Sequence, residues 1–325
     1  MEYILSLSYG KDSLACLEAC KLLGYQIDRI IHAEVWATDT IPAELSPMVE
    51  FKAKADKIIK ERYGLTVEHF AAEREREQLL SFETQFYTLY SKGKNEGRIY
   101  GFPMQRGAWC NSRLKMQALN SNLRANVLHS SKETERHSVY GEALRFSNAT
   151  ETLVQQQIES KCPNENGFSD SPSVQGAETN IVQYLGIAAD EPERIERHKD
   201  KAGIVLPLVD IGWDEAYCRK WCEGNDLLSP IYTNSARGGC WFCHNQGIDQ
   251  LRLLRKDYPD LWELLLKWDW DSPTTFHPDG RTVHDFDLRF YAEDLGLVPC
   301  DRRFRWKKLE DPNFYKEDSE NGKEM

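Results

Sequence analysis

Hydroxyl, glycine, lysine and aspartate side chains follow one another early in the chain, in the run Ser6-Leu7-Ser8-Tyr9-Gly10-Lys11-Asp12-Ser13. An apolar strand is predicted to end in this run, and an amphipathic helix is predicted to begin there. The first turn of such a helix presents unpaired N–H groups and a partial positive charge, which together attract anions. Gly10 lets the backbone approach the anion and Lys11 adds charge. The hydroxyl donors are Ser6, Ser8 and Ser13. The pattern predicts a phosphate-binding turn.

Two familiar phosphate loops are excluded for this turn. A Walker A loop would need a glycine where Leu5 stands and a serine or threonine where Asp12 stands. The spacing of glycines is also not that of a dinucleotide-binding GxGxxG loop. The alternative without any ligand is a serine-capped helix in which Asp12 serves as an acid in the first turn.

A pair of cysteines, Cys240-Trp241-Phe242-Cys243, follows a Gly-Gly turn. Two thiolates at this spacing can hold one metal ion, and a complete site needs further ligands. The candidates for completion are Cys110, Cys218, Cys222 and His244. Zn²⁺ and a [4Fe–4S] cluster both accept four thiolates, so both stay open. A thioredoxin-type redox pair and two buried structural thiols are the alternatives.

Further charged residues lie where ligands of open α/β folds bind. Asp39-Thr40 follows the second predicted strand, and Asp39 could hold Mg²⁺ bridged to a pyrophosphate or could cap a helix. Lys115 and Arg194 could neutralise charge that develops on a phosphate, or could be surface cations.

The elements around these residues alternate between strand and helix. Strands are predicted at 3–7, 27–35 and 65–70, with helices at 13–23 and 43–62 between them. This alternation predicts an α/β fold, a Rossmann-like and mostly parallel sheet with helices on both faces. Later ordered segments are expected at 181–188, 203–209, 213–222 and 248–268, the last interrupted by Pro259.

The chain is expected to divide into three parts. Residues 1–230 form the nucleotide-binding domain, which carries an irregular, polar insert at about 121–179. Residues 231–310 form a helical, cysteine-containing and metal-bearing extension. Residues 311–325 form a frayed tail.

Composition limits the class of protein. The chain has 325 residues, is 41% hydrophobic and has a formal net charge of −11. It has no apolar run of about 20 residues and no signal-peptide pattern, so we expect a cytoplasmic protein without a membrane partner. Its acidity argues against a surface that coats nucleic acid, and leaves a local groove for a nucleic-acid acceptor. The basic side chains around Cys110 are Arg98, Arg106, Arg113 and Lys115.

The phosphate-binding turn resembles the PP-loop, SGGKDS, of the adenine nucleotide alpha-hydrolase superfamily. Within it, the chain is most similar to the phosphoadenosine phosphosulfate reductase-like family. Four further blocks resemble family elements in the family's order, over most of residues 1–250 without the insert. They are Asp39-Thr40 (DTG), Trp109 to Lys115 (WCxxxLK), Gly186 to Arg194 (GIRxxES..R) and Cys240 with Cys243 (CxxC).

The chain departs from the family pattern at several positions. Tyr9 replaces a loop glycine and is expected to narrow the pocket or to stack on the nucleotide. Ile41 replaces the glycine of DTG, and Ala188 stands where many relatives carry arginine. The ECGxH-like motif of reductases that act on sulfated nucleotides is missing, and Cys300 is the only late cysteine.

The resemblance implies an enzyme of sulfur chemistry that binds ATP or a related adenine nucleotide with Mg²⁺. The implied reaction is adenylylation of an acceptor with release of pyrophosphate, followed by sulfur transfer from a donor protein. The implied catalytic residues are Lys11, Asp12, Lys115 and Arg194, and the implied metal ligands are Cys110, Cys222, Cys240 and Cys243. One alternative is a thiol-dependent reductase of a sulfated adenine nucleotide. Another is a nucleotide-sensing module with a structural zinc site.

Overall fold

The computed structural model of the chain describes residues 1–74, 78–103, 108–125, 181–234 and 239–301. Most of the insert predicted at about 121–179, and the whole tail at 311–325, lie outside the described residues. The chain divides into two compact units. The first comprises Met1–Gln85, Ser91–Glu96 and Trp109–Cys240, and the second comprises Phe86–Tyr90, Gly97–Ala108 and Trp241–Met325.

Five parallel strands form the sheet of the first unit, in the order β3-β2-β1-β6-β7. A separate antiparallel pair, β4 and β5, has two residues in each strand. The strands are β1 Glu2–Ser6, β2 Arg29–Glu34, β3 Val67–Ala71, β4 Glu73–Arg74, β5 Gln78–Leu79, β6 Ile181–Leu185 and β7 Ile204–Val205. The predicted α/β class with a mostly parallel sheet is confirmed.

Helices connect these strands. The α-helices that begin in the first unit are α1 Lys11–Leu23, α2 Ser46–Tyr63, α3 Phe82–Phe86, α4 Gln117–Ala125, α5 Pro192–Glu196, α6 Pro207–Ile211, α7 Glu215–Gly224 and α8 Ile231–Asn234. A π-helix, Asn111–Met116, precedes α4. The ordered segment expected at 203–209 contains two elements, because Pro207 begins α6 directly after the short strand β7.

The core of the first unit lies between the sheet and helices α1, α2, α6 and α7. Leu14 and Leu17 of α1 are fully buried, together with Leu5 of β1 and Leu208 of α6. Helix α1 ends where Gly24 adopts a left-handed conformation with φ 70°, which a residue without Cβ takes readily. The buried apolar face thus fixes the helix that begins at the predicted phosphate-binding turn.

The strand register decides which loops meet. Ser6 of β1 pairs with Ile31 of β2 and with Leu185 of β6, so the carboxyl ends of these strands lie at one edge. The chain leaves β1 for β2 on one side and reaches β6 on the other. In open α/β sheets ligands bind at such a switch point. A ligand site is therefore expected at the loops after β1 and β6.

Three helices form the described carboxyl-terminal part of the second unit: α9 Ile248–Asp257, α10 Pro259–Asp271 and α11 Val283–Asp294. The helix expected at 248–268 is divided at Tyr258 because Pro259 starts a new helix there. Trp268 is fully buried and stacks on Trp241 with 5.6 Å between ring centroids. Among the described residues, no helix combines the length and apolarity required to cross a bilayer.

Candidate anion and cation site at the sheet edge

The turn after β1 is held by its own serine side chains. The Ser13 hydroxyl accepts a hydrogen bond from the Ser8 N–H at 3.1 Å and donates to the Gly10 carbonyl at 3.0 Å. The Ser8 and Ser13 hydroxyl oxygens lie 3.0 Å apart. Helix α1 begins immediately afterwards at Lys11. Its first-turn N–H groups therefore face the carboxyl edge of the sheet, as an anion site requires.

Gly186, the residue after β6, lies against this turn. A Cβ atom on Gly186 would come within 2.6 Å of Ser13 Cα and 2.7 Å of Ser13 N. Because such distances are far shorter than van der Waals contact, only glycine allows the two backbones to touch. The close approach brings the segment after β6 to the turn that follows β1.

Lys11 and Asp12 form a charged group with two glutamates from other elements. Lys11 Nζ lies 2.9 Å from an Asp12 carboxylate oxygen and 3.2 Å from a Glu215 carboxylate oxygen. Carboxylate oxygens of Asp12, Glu191 and Glu215 lie within 4.8 Å of one another. Arg194 donates to both oxygens of Glu191, at 2.6 and 2.8 Å. Oxygen ligands of this kind suit Mg²⁺, so these three carboxylates are candidate ligands.

The pKa values in this group reflect burial and pairing. Burial raises the pKa of Asp12, and the nearby Lys11 ammonium only partly opposes that shift. Burial lowers the pKa of Lys11, but hydrogen bonds and charge from Asp12 and Glu215 outweigh it, so the Lys11 pKa is raised overall. Lys11 therefore carries a full positive charge at neutral pH, beside the helix terminus that would receive a phosphate.

Tyr232 covers part of the turn. The Lys11 N–H donates a hydrogen bond to the Tyr232 hydroxyl oxygen at 3.2 Å. The same oxygen would lie 3.4 Å from a Cβ placed on Gly10. A phenol oxygen thus accepts a hydrogen bond from a first-turn N–H group of α1.

The Tyr9 side chain points away from solvent. Its ring is fully buried, and its backbone is left-handed with φ 54°. Its hydroxyl is hydrogen-bonded to Asp56 of α2 and lies 3.1 Å from His69 Nε2 of β3. This placement differs from the expectation that Tyr9 stacks on a nucleotide, because a ring without exposed surface offers no face to a ligand.

A partly buried network of charged side chains surrounds the Tyr9 hydroxyl. His69 Nδ1 lies 2.8 Å from Glu34 and His69 Nε2 lies 3.0 Å from Asp56. Burial lowers the pKa of His69, but the hydrogen bonds to Asp56 and Glu34 more than compensate and raise it to about 9. His69 is therefore a cation between two carboxylates at neutral pH.

His32 completes this network as a neutral ring. Its Nδ1 lies 2.7 Å from the Leu7 carbonyl and its Nε2 lies 2.7 Å from Lys52 Nζ, which also pairs with Glu44. Burial lowers the His32 pKa well below its usual range, and the Lys52 charge adds to the effect. The neutral His32 ring therefore donates a hydrogen bond from Nδ1 to the Leu7 carbonyl and accepts one at Nε2 from the Lys52 ammonium.

Distance alone makes the two histidines candidate metal ligands. Ligand atoms of His32, Glu34 and His69 lie within 4.8 Å of one another. The two ring nitrogens of each histidine are, however, already within hydrogen-bond distance of protein groups. We therefore assign this group as a hydrogen-bonded charge network.

Other predicted nucleotide-binding residues have different surroundings. Ser6 accepts a hydrogen bond from the Gln183 side chain of β6 at 2.6 Å. Asp39 accepts one from the Ser81 hydroxyl at 3.1 Å, just before α3, and does not belong to the carboxylate group around Asp12. The Thr40 N–H donates to the Thr38 hydroxyl at 3.3 Å. These bonds stabilise local structure around the site.

The remaining predicted catalytic residues lie on short helices. Lys115 lies on the π-helix, an element that is frequent at functional sites, and its charge contributes to the lowered pKa of His32. Arg194 lies on α5 and is about half exposed while it pairs with Glu191. The structure thus brings Arg194 to the carboxylate group through Glu191.

The predicted metal-ligating cysteines have separate surroundings. Cys222 is fully buried and its thiol donates to the Lys11 carbonyl at 3.3 Å. Burial raises the pKa of Cys222 to about 12, so without a bound metal ion its thiol is protonated at neutral pH. Cys110 and Cys240 are partly buried in the first unit, and Cys243 belongs to the second. Over the described ranges, neither group of candidate metal ligands contains a cysteine. The four-cysteine metal site stays a prediction, because its cysteines are divided between the two separately described units.

Several residues of the site were missed from sequence. Glu191 lies in a block that was recognised, and its place directly after a strand is a usable signal. His32 and Glu34 alternate along β2 and so share one face, a weaker signal. Glu215, Tyr232 and Asp56 give no local signal, because each reaches the site from a distant helix.

Comparison with models of known protein families, with curated proteins and with solved structures gives no match.

Proposed function

We propose that this chain is an adenine-nucleotide-binding enzyme of sulfur chemistry, of the phosphoadenosine phosphosulfate reductase-like kind with a Rossmann-like PP-loop domain. The proposed reaction is adenylylation of an acceptor with release of pyrophosphate, followed by sulfur transfer. One observation carries the proposal. The Ser8–Ser13 turn, the first turn of α1, Lys11 and three carboxylates meet at the carboxyl edge of the parallel sheet.

The proposed roles follow from charge and geometry. The first-turn N–H groups and the Ser8 hydroxyl bind phosphate oxygens, and the phosphate displaces the Tyr232 hydroxyl from the Lys11 N–H. The Lys11 ammonium offsets the negative charge that builds up on the phosphates. Arg194 keeps Glu191 in place through its paired hydrogen bonds.

Asp12, Glu191 and Glu215 would hold Mg²⁺ together with the pyrophosphate portion of the nucleotide. When bound, the ion supplies charge neutralisation for the leaving group. In the transfer step an acceptor oxygen forms a bond to the α-phosphorus, and the bond between that phosphorus and the bridging oxygen breaks. Pyrophosphate leaves with the electron pair. The proposed partners are a protein that donates the sulfur and a nucleic-acid acceptor that binds in a local groove.

Replacement of the lysine tests the proposal. Lys11→Ala should weaken binding of ATP with Mg²⁺ by at least about tenfold, because a charge-assisted contact to phosphate is lost. Isothermal titration calorimetry measures the affinity. Lys60→Ala is the matched control, since Lys60 is exposed at the end of α2 and its ammonium donates hydrogen bonds to the Gly64 carbonyl and the Thr66 hydroxyl. Failure of the wild-type protein to bind ATP, ADP or a sulfated adenine nucleotide would overturn the proposal.

A thiol-dependent reductase is the second candidate, and the exposure of Cys300 favours it. An exposed thiol can reach a substrate or a partner disulfide. This function requires sulfite release from a sulfated adenine nucleotide that is lost in Cys300→Ser. Sulfite release that survives the substitution rules this route out. Tight ATP binding without any turnover would instead indicate a nucleotide-sensing module.

A further inference from the structure

Tyr9 occupies a backbone conformation that residues with side chains seldom adopt. Its φ of 54° lies in the left-handed region, which glycine enters without steric cost. A tyrosine there persists only when surrounding contacts hold it. Those contacts must therefore be unusually specific, and they determine where the next two residues, Gly10 and Lys11, place their N–H groups.

The described contacts of the Tyr9 side chain include groups from three elements. Asp56 of α2 and His69 of β3 are both within hydrogen-bond distance of its hydroxyl. The His32 ring of β2 meets the Tyr9 ring edge to face, with 4.8 Å between centroids. The Lys52 ammonium lies 5.3 Å from the centre of the Tyr9 ring. The ring is thus enclosed on several sides and its hydroxyl is anchored at its end.

We propose that Tyr9 is a positioning residue of the anion-binding turn: its anchored hydroxyl holds the left-handed backbone that directs the N–H groups of α1's first turn at the anion. Asp56 and His69 act through Tyr9, and Glu34 acts through His69. The identity of the anion, an adenine nucleotide, rests on the proposed function. The anchoring itself does not depend on that function.

The charge of His69 links this anchor to pH. Within the described ranges, the groups that face His69 include Glu34 and His32 of β2, Asp56 of α2 and the Tyr9 hydroxyl. Lys52 of α2 faces His32 on its other side. When His69 loses its proton, Asp56 and Glu34 lose their shared cation, and the arrangement of carboxylates that holds Tyr9 becomes less favourable. The anchor should weaken as pH rises through about 9.

Amide hydrogen exchange of the peptide that covers residues 7–14, without nucleotide, tests the anchor directly. Tyr9→Phe keeps the ring and removes the hydroxyl, so exchange should become faster by about tenfold. Tyr63→Phe is the matched control, because it removes a hydroxyl that donates to Glu18 at 2.7 Å, away from the turn. Equal exchange in Tyr9→Phe, Tyr63→Phe and wild type would overturn the inference. Tyr9→Gly supplies a second variant that reaches the left-handed backbone without the anchor, and it should also exchange faster.

The functional readout is the affinity for ATP with Mg²⁺ from about pH 7 to about pH 10. Wild-type affinity should fall as pH passes about 9, whereas His69→Gln should be weaker throughout and nearly flat over this range. If His69 only supported the fold, the His69→Gln variant would keep the pH dependence of ATP affinity that wild type shows. If wild type binds no adenine nucleotide, the proposed function fails, and hydrogen exchange still decides the inference. If wild type binds and the His69→Gln profile parallels it, the link to His69 is wrong.

Discussion

At the scale of single residues, the geometry of the site depends both on a missing Cβ atom, at Gly186, and on an anchored hydroxyl, at Tyr9. Gly186 admits the Ser13 backbone because it has no Cβ, whereas Tyr9 keeps a glycine-like conformation because its hydroxyl is anchored. Lys11 and Asp12 are adjacent in sequence, and Glu215 joins them from another helix. Each role follows from local contact distances.

Gly186→Ala should distort the anion-binding turn. The new methyl group would overlap Ser13 and Asp12 backbone atoms, so we expect a loss of about 1–3 kcal/mol in the free energy of unfolding and weaker ATP binding. Urea denaturation and calorimetry measure the two effects. Gly224→Ala is the control, since a Cβ there meets nothing within 4 Å. Similar stability of the two variants would contradict the observed close approach.

At the scale of elements, helix ends and strand ends carry the functional groups, and buried faces hold those ends in place. In the first unit, α1 and α7 pack together in the core and bring Lys11 near Glu215. In the second unit, α10 contributes Trp268 to an aromatic group that includes Trp241 and Phe242. The same helix has both a buried and an exposed tryptophan, which allows a controlled test.

Trp268→Ala should destabilise the second unit by about 3–5 kcal/mol, because it removes a fully buried aromatic side chain and leaves a cavity. Trp270→Ala, two residues further along α10, should change stability by no more than about 0.5 kcal/mol, because that ring is 82% exposed. Chemical denaturation followed by circular dichroism measures both. Equal losses of stability in the two variants would contradict the burial of the Trp268 ring against Trp241.

At the scale of the whole molecule, the chain is acidic and also encloses cationic side chains that pair with carboxylates. The chain has a net charge of −11, yet Lys52 and the His69 cation are buried or partly buried in the first unit. Lys52 pairs with Glu44, and His69 lies between Glu34 and Asp56. Global stability should therefore depend on the protonation of His69.

Stability should fall at alkaline pH through His69. Its pKa is raised in the folded chain, from 6.5 to about 9, so the folded state holds this proton more tightly than the unfolded state. The stabilisation is fully present below about pH 6.5 and is lost progressively as pH rises to about 9. We expect a loss on the order of 3 kcal/mol over this window in wild type, and a smaller loss in His69→Gln. Denaturation at several pH values measures it, and parallel curves would contradict the assignment of His69.

The sequence by itself determined the parts of this protein that depend on neighbours along the chain. Alternating strand and helix patterns predicted the α/β class, and the Ser-Tyr-Gly-Lys-Asp-Ser run predicted a turn that opens a helix. Both were correct because periodicity and helix capping act over a few residues. Pro259 likewise marked the break between α9 and α10.

Only the tertiary structure decided which distant groups meet. Glu191 and Glu215 lie beside Asp12, and the Tyr9 ring is buried in the core. The Cys222 thiol donates a hydrogen bond to the Lys11 carbonyl. Asp39 accepts a hydrogen bond from the Ser81 hydroxyl and lies outside the carboxylate group around Asp12. Strand order and helix packing set these contacts, and neither is encoded in the spacing of residues along one element. The turn was therefore predictable from sequence, whereas its partners were not.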